Sequence, residues 1–438
     1  MPNAVRLIRL AEQSPAELKT LFARAEQDIA HAYAVAQSVI DAIKAEGDAA
    51  LIRYVQQFDC KDVTLDSLEV TRAEIEIAKK RIDPAVEAAI RHAHANIRTV
   101  HAAQASDDMS FTQVEPGVMA GEKVTPIPRV GLYVPRGKGA FPSVMLMLAT
   151  PAMVAGVPEI VVCTPPNPEG GVDDASLVAA DLCGVHRIFK IGGAQAIAAM
   201  ALGSTRVPKV DKLMGPCNAF GSAAKRLLVG SVDVGMLAGP SESIILADGA
   251  ADPDLVAHDL LVEAEHGPES ASLLVTHDLA LAGRVQSLLP ALLAALPEQR
   301  RNFCLTGLNS YGGILLTDSL DASIDFVNAY APEHMQLVTA DPWSILSRIH
   351  NAGEILIGEA TPVPLGNFAI GVNAVLPTGG FARSYSATSL RDFQKRTSLA
   401  YVSREGFARL ADTVTTLADI EGFPAHAAAV RRRQQRWK

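Results

Sequence analysis

From Val130 onward the chain alternates short β-branched runs with alanine-rich helical windows, and nothing else in the sequence limits the fold as strongly. The runs VGLYV, EIVVC, RIFKI and KLMG are separated by helical windows at 143–155, 175–183 and 194–201. A helix at 218–228 leads to SIILAD. Helices at 253–266 and 279–296 are then interleaved with SLLVT, GILLT and, further on, EILIG. Alternation of this kind marks βαβ units around mostly parallel sheets. Upstream, residues 15–101 carry apolar side chains three and four apart with little Gly or Pro, which predicts helices. The expected fold is α/β, with two Rossmann-like parallel-sheet domains, an N-terminal helical segment and a C-terminal helical tail. The expected limits are 1–20 for an N-terminal arm, 21–129 with 245–388 for the first α/β domain, 130–244 for the second, and 389–438 for the tail. The tail offers no strand pattern, so it is expected to exchange between the subunits of a homodimer.

A length of 438 residues exceeds one ordinary core. A net charge of -9 argues against nucleic acid as a partner, because counterion displacement needs a basic surface. The terminal arginines Arg431, Arg432, Arg433 and Arg436 read as a solvated last helix turn. Five scattered cysteines without a C-x-x-C pair fit a reducing compartment, and the N-terminus lacks the apolar core of a signal peptide. The most apolar stretch, 143–163, is broken by Pro151 and Pro158 and reads as a helix followed by a strand. The expectation is a cytoplasmic protein with no membrane partner.

Neither G-x-G-x-x-G nor a Walker A loop occurs. Gly192-Gly193-Ala194-Gln195 follows the run RIFKI and can form a strand-to-helix turn whose amides face an anion. Three further pairs can carry chemistry. Glu263 and His266 close a helical window three residues apart, on one face, and can converge on a cation. Each such pair is equally at home on a solvated surface. Glu333 and His334 stand side by side, on a loop or helix start, and suit acid–base work on a substrate hydroxyl or a water. Glu421 and His426 flank a Gly-Phe-Pro turn in the tail.

The fragments GLYVPRG, IGGAQAIAAMALG, GPCNAFGSAAK, VDVGMLAGPSE, DLLVEAEHGPES, VNAYAPEHMQL, LPTGGFARSYS, DFQKRTS and EGFPAHAAAV occur in this order. Together they resemble the histidinol dehydrogenase family, from about residue 50 to the C-terminus. The resemblance implies one NAD-dependent site that oxidises a primary alcohol to an aldehyde and then to a carboxylate. It implies that His334 takes the hydroxyl proton and that Glu333 activates water on the aldehyde. It places zinc at Glu263, His266, Asn367 and His426, the last from the partner subunit's tail. NAD is expected to contact Tyr133, Gln195 and Asn218, and the substrate Ser241 and Glu421. Zinc would position and polarise the substrate without exchanging electrons.

The chain departs from the family pattern in two places. The family has an amide at 263 and a carboxylate at 367; here these are Glu263 and Asn367, so the carboxylate count is unchanged. The family's pocket histidine before Val-Leu-Pro is Ala374, Pro142-Ser143 replaces a pair of serines, and the turn after Tyr133 gains Arg136 and Lys138. Arg391 precedes DFQKRTS. Fewer imidazoles and more cations suggest a smaller anionic alcohol. In this the chain most resembles the sulfopropanediol dehydrogenase branch of the family, and that resemblance implies 2,3-dihydroxypropane-1-sulfonate, oxidised to sulfolactate, as the expected substrate. Arg136, Lys138 and Arg391 would then hold the sulfonate, and histidinol would be a poor substrate. The alternatives are oxidation of histidinol to histidine and, more distantly, a non-catalytic binding protein on the same fold.

Overall fold

The computed structural model describes residues 5–24, 29–136, 139–236 and 239–437. The chain divides into two compact units. The larger comprises Met1–Gln104 and Pro128–Phe393, and the smaller Ala105–Ile127 and Gln394–Lys438. In chain order the strands are β1 (Leu7–Arg9), β2 (Met109–Glu115), β3 (Val118–Pro126), β4 (Arg129–Tyr133), β5 (Glu159–Thr164), β6 (Arg187–Lys190) and β7 (Lys212–Met214). There follow β8 (Glu242–Ala247), β9 (Ala271–Thr276), β10 (Gly313–Leu316), β11 (His334–Val338), β12 (Glu354–Ile357) and β13 (Gln394–Val402).

The larger unit contains two parallel sheets. One has six strands in the order β1-β10-β9-β8-β11-β12, and the other four in the order β6-β5-β4-β7. Every residue of β8, β9, β10 and β11 is buried. This is why SIILAD, SLLVT and GILLT read as apolar runs, since helices cover both faces of such a sheet, while His334 and Gln336 interrupt that pattern in β11. Successive residues serve opposite faces. Ile245, Leu274 and Ile314 pack under the helices Pro253–Ala264 and Leu279–Ala295. Ile244, Leu273 and Leu315 meet Ile324, Val327 and Tyr330 of the helix Leu320–Tyr330.

The four-stranded sheet packs Val161, Cys163 and Phe189 against the helix Gly193–Leu202 and two N-terminal helices, Ile29–Glu46 and Asp48–Phe58. Those N-terminal helices were expected to group with 245–388. Their apolar faces, including Val39, Ile40, Leu51 and Val55, instead join the core of the smaller sheet.

In the smaller unit β13, β3 and β2 form an antiparallel sheet, followed by the helices Arg404–Ile420 and Pro424–Trp437. The tail is therefore not wholly helical. Strand β13 is exposed along most of its length and shows no apolar alternation, which explains why its pattern does not announce a strand. Among the described residues no helix is long and apolar enough to cross a membrane.

Candidate active site

A cavity of about 560 Å³ lies where the amino ends of β8 and β9 meet the loop that follows β7. Ser241, Glu242, His266 and Ala271 line one side, and Cys217 and Asn218 the other. A second cavity, about 510 Å³, is lined by Phe58, Asp59, Tyr133, Arg136 and Gln195 and again by Asn218. Asn218 thus borders both cavities. The carboxyl ends of β4, β6 and β7 supply the second cavity, the usual ligand side of a parallel sheet. The six-stranded sheet contributes its amino edge.

Glu333 and His334 do not sit on a loop or helix start. His334 opens the buried strand β11, and Glu333 immediately precedes it. The chain enters that strand through Ala331, whose φ of 53° is left-handed although it has a side chain. Such a conformation in a non-glycine residue is held by its surroundings and is frequent at functional sites. Ala331 is fully buried, and its amide donates to Val327 O at 2.8 Å, ending the preceding helix. Glu333 Oε2 accepts the Glu242 amide at 2.9 Å. Gly353 packs so closely that a Cβ there would stand 2.5 Å from the Glu333 carbonyl oxygen, so this position needs glycine.

His334 Nε2 is 3.8 Å from Glu333 Oε1, and its Nδ1 is 2.5 Å from Glu354 Oε1. Burial pushes the Glu333 carboxyl well above the ordinary carboxylate range; the charge on His334 opposes the rise and Glu263 adds to it. Burial pushes the His334 imidazole down, but the carboxylates of Glu333, Glu263 and Glu354 outweigh it and hold the imidazole well above its usual value. At 3.8 Å the two are not hydrogen-bonded to each other, but both are buried, and each can exchange a proton with a group placed between them.

Beside it, Glu263 Oε2 is 2.9 Å from His266 Nδ1, and Asn367 Nδ2 donates to Glu263 Oε1 at 3.2 Å. Glu263 is 1% exposed. Burial raises its carboxyl, yet His334, His266 and Asn367 together bring it down to about 2. Among the described residues no three His, Cys, Asp or Glu side chains are grouped to hold a metal. The cluster offers two, Glu263 and His266, with the Asn367 amide oxygen as a third donor. One imidazole nitrogen and two oxygens suit zinc and leave a fourth position to be filled. His426 and Glu421 lie exposed in the smaller unit.

The amides of the Gly192-Gly193 turn do not face an external anion. Gly192 N donates to Asp59 Oδ2 at 2.9 Å and Gly193 N to the Tyr133 hydroxyl at 3.0 Å. Gln195 Nε2 donates to the same Asp59 oxygen, also at 2.9 Å. The helix dipole is thus answered by the chain's own carboxylate. Tyr133, Gln195 and Asn218 all line the second cavity. Arg136 joins them and is absent from the cavity that holds Ser241 and His266. Arg391 is exposed on the turn Leu390–Phe393, and Lys138 lies outside the described residues.

Residues 22–434 match the family model described as Histidinol dehydrogenase. The chain is 58% identical to a histidinol dehydrogenase of Synechocystis sp., over 98% of this chain and 99% of that protein. It belongs to the histidinol dehydrogenase family. A histidinol dehydrogenase homolog of Cereibacter sphaeroides is 46% identical over 96% of each chain. The crystal structure of histidinol dehydrogenase from Elizabethkingia anophelis superposes with a TM-score of 0.93 at 33% identity, covering 99% of this chain and 98% of that one. As a member of the histidinol dehydrogenase family the chain is an NAD-dependent oxidoreductase that takes an alcohol through an aldehyde to an acid, and the family uses NAD and zinc.

The pattern of single residues missed Glu354 and Asp59. Glu354 lies on an apolar run 20 residues from its imidazole partner, and only the strand register unites them. Asp59 is 133 residues from Gly192.

Proposed function

We propose that the chain oxidises histidinol to histidine in two NAD-dependent steps. The observation that carries this reading is the 58% identity, at nearly full coverage of both chains, to a protein named histidinol dehydrogenase. The homolog of Cereibacter sphaeroides is further away, at 46%. Two of the cations assigned to a sulfonate also lend that substrate little support. Arg136 borders the other cavity, and Arg391 is exposed.

In this reading Ser241, with Glu421 from the partner subunit, holds the substrate in the larger cavity, and NAD lies along Tyr133, Gln195 and Asn218. When bound there, NAD would supply the hydride acceptor for each oxidation. Zinc would be held by Glu263, His266, Asn367 and His426 of the partner subunit, and when bound it orients and polarises the substrate oxygen. His334 Nε2 takes the hydroxyl proton as the first hydride leaves. The aldehyde stays in the pocket, and Glu333, deprotonated, removes a proton from the attacking water. The hydrate then gives up the second hydride to yield the carboxylate. Overall one alcohol and one water become a carboxylate as two NAD are reduced and three protons are released.

Counting products tests this scheme: each histidinol consumed should give two NADH and one histidine. Release of free aldehyde with a single NADH would remove Glu333 from its role. A second reading, oxidation of dihydroxypropanesulfonate, is favoured by one observation, the Ala374 that stands where the family resemblance expects a pocket histidine.

A further inference from the structure

We propose that Glu354 is a positioning residue, which fixes the tautomer and orientation of His334 for the alcohol oxidation. The inference rests on the reading that His334 takes the hydroxyl proton.

In the register of the parallel strands β11 and β12, His334 pairs with Glu354, so the two side chains are neighbours across the ladder. Oε1 of Glu354 stands 2.5 Å from Nδ1 of His334, and the side chains are 7% and 4% exposed. An ionised carboxylate only accepts, so Nδ1 must carry the hydrogen. Nε2 is then left as the lone-pair nitrogen of the neutral ring, on the side facing Glu333.

The carboxylate is itself held in place. The Glu354 amide donates to Glu333 O at 3.0 Å, so the catalytic segment and the strand that orients it are tied together. A Cβ on Gly366 would come within 3.2 Å of both Glu354 oxygens, so the glycine leaves the space that the carboxylate fills. Oε2 of Glu354 is buried and has no partner among the described residues. A buried oxygen without a hydrogen bond opposes folding, so stability alone does not account for a glutamate here. The negative charge beside Nδ1 also stabilises the imidazolium that forms when Nε2 takes the proton. This is the logic by which a buried carboxylate serves a catalytic histidine in unrelated hydrolases.

The test uses the full-length, zinc-loaded enzyme with histidinol and, separately, its aldehyde as substrates. Glu354→Gln keeps the shape and loses the charge, Glu354→Asp keeps the charge, and His334→Asn removes the imidazole. Glu354→Gln should lower kcat for histidinol by at least about tenfold, short of the ~10²–10⁴-fold that loss of the general base itself would cost. KM and zinc content should stay near wild type, and oxidation of the supplied aldehyde should fall far less. Glu354→Asp should recover part of the loss. In a His334→Asn background, Glu354→Gln should cost nothing more, because a residue acting through another is not additive with it. An equal fall in both half-reactions, lost zinc, or additive losses in the double variant would reduce Glu354 to a structural residue. If His334→Asn abolishes alcohol oxidation while Glu354→Gln behaves as wild type, this inference alone is overturned. If His334→Asn oxidises histidinol normally, the assignment of the base falls and Glu354's role with it.

Discussion

Asn367 Nδ2 donates to Glu263 Oε1 across 3.2 Å, which joins two positions 104 residues apart in the chain. The resemblance to the family expects an amide and a carboxylate at these two places in the opposite order. Their contact gives the exchange a physical reason: it moves one negative charge across a hydrogen bond and leaves the total unchanged. Restoring the order with the double variant Glu263→Gln/Asn367→Asp should therefore preserve zinc affinity. Glu263→Gln alone removes the site's only carboxylate and should weaken zinc binding, while Asn367→Asp alone adds one and should not. Competition titration against a chelating dye reads this, and a double variant that binds zinc as weakly as Glu263→Gln alone would contradict the exchange.

The pH dependence follows from the two bases. Glu333 and His334 are both held above their ordinary values, Glu333 by burial and His334 by carboxylates that outweigh burial. A base works only after losing its proton, so a raised pKa moves the rising limb of activity to higher pH. We expect kcat to keep climbing from neutrality into the alkaline range. A plateau reached below the ordinary imidazole value of about 6.5 would contradict the arrangement.

Arg24 anchors the floor of the larger cavity. Its guanidinium stands 2.9 Å from Glu242 Oε1, with side chains 6% and 4% exposed, and it stacks over Tyr330 at 3.9 Å. Burial raises the Glu242 carboxyl to about 6 against the pull of Arg24. Arg24→Ala would strand that carboxylate, at a cost of roughly 3–5 kcal/mol. Urea denaturation should show a lower midpoint with an unchanged slope. A midpoint within error of wild type would mean that the pair contributes nothing.

Shared active sites can be tested by mixing subunits. His426 and Glu421 lie on the smaller unit, and in the proposed dimer they complete the partner's site. Neither a His426→Ala nor a His334→Ala homodimer should turn over at more than a small fraction of the wild-type rate. Exchanged mixtures should regain activity approaching a quarter of wild type, since one site in a heterodimer then has both groups. Mixtures that exchange subunits and stay inactive would contradict sharing.

Most parallel strands of the larger unit were legible because burial makes them continuous apolar runs, as in SIILAD and SLLVT, whereas β1 and β11 were not. Strands β2 and β13 were not, since their exposed faces carry no alternation. Chemistry was visible where partners are local, as with Glu263 and His266, three apart on one helix. It was hidden where the sheet brings partners together. His334 was read on a loop or helix start because the left-handed turn at Ala331, and not a glycine, redirects the chain into β11. The cation at Arg136 read as a substrate anchor because sequence order alone does not say which of two cavities a turn borders.

The central claim is the identity of the alcohol. Initial rates of NADH formation should be measured with histidinol and with 2,3-dihydroxypropane-1-sulfonate in parallel, on the same zinc-loaded preparation. The account predicts a kcat/KM for histidinol at least about tenfold higher, about 1.4 kcal/mol in transition-state stabilisation. A kcat/KM for the sulfonate equal to or above that for histidinol would contradict it.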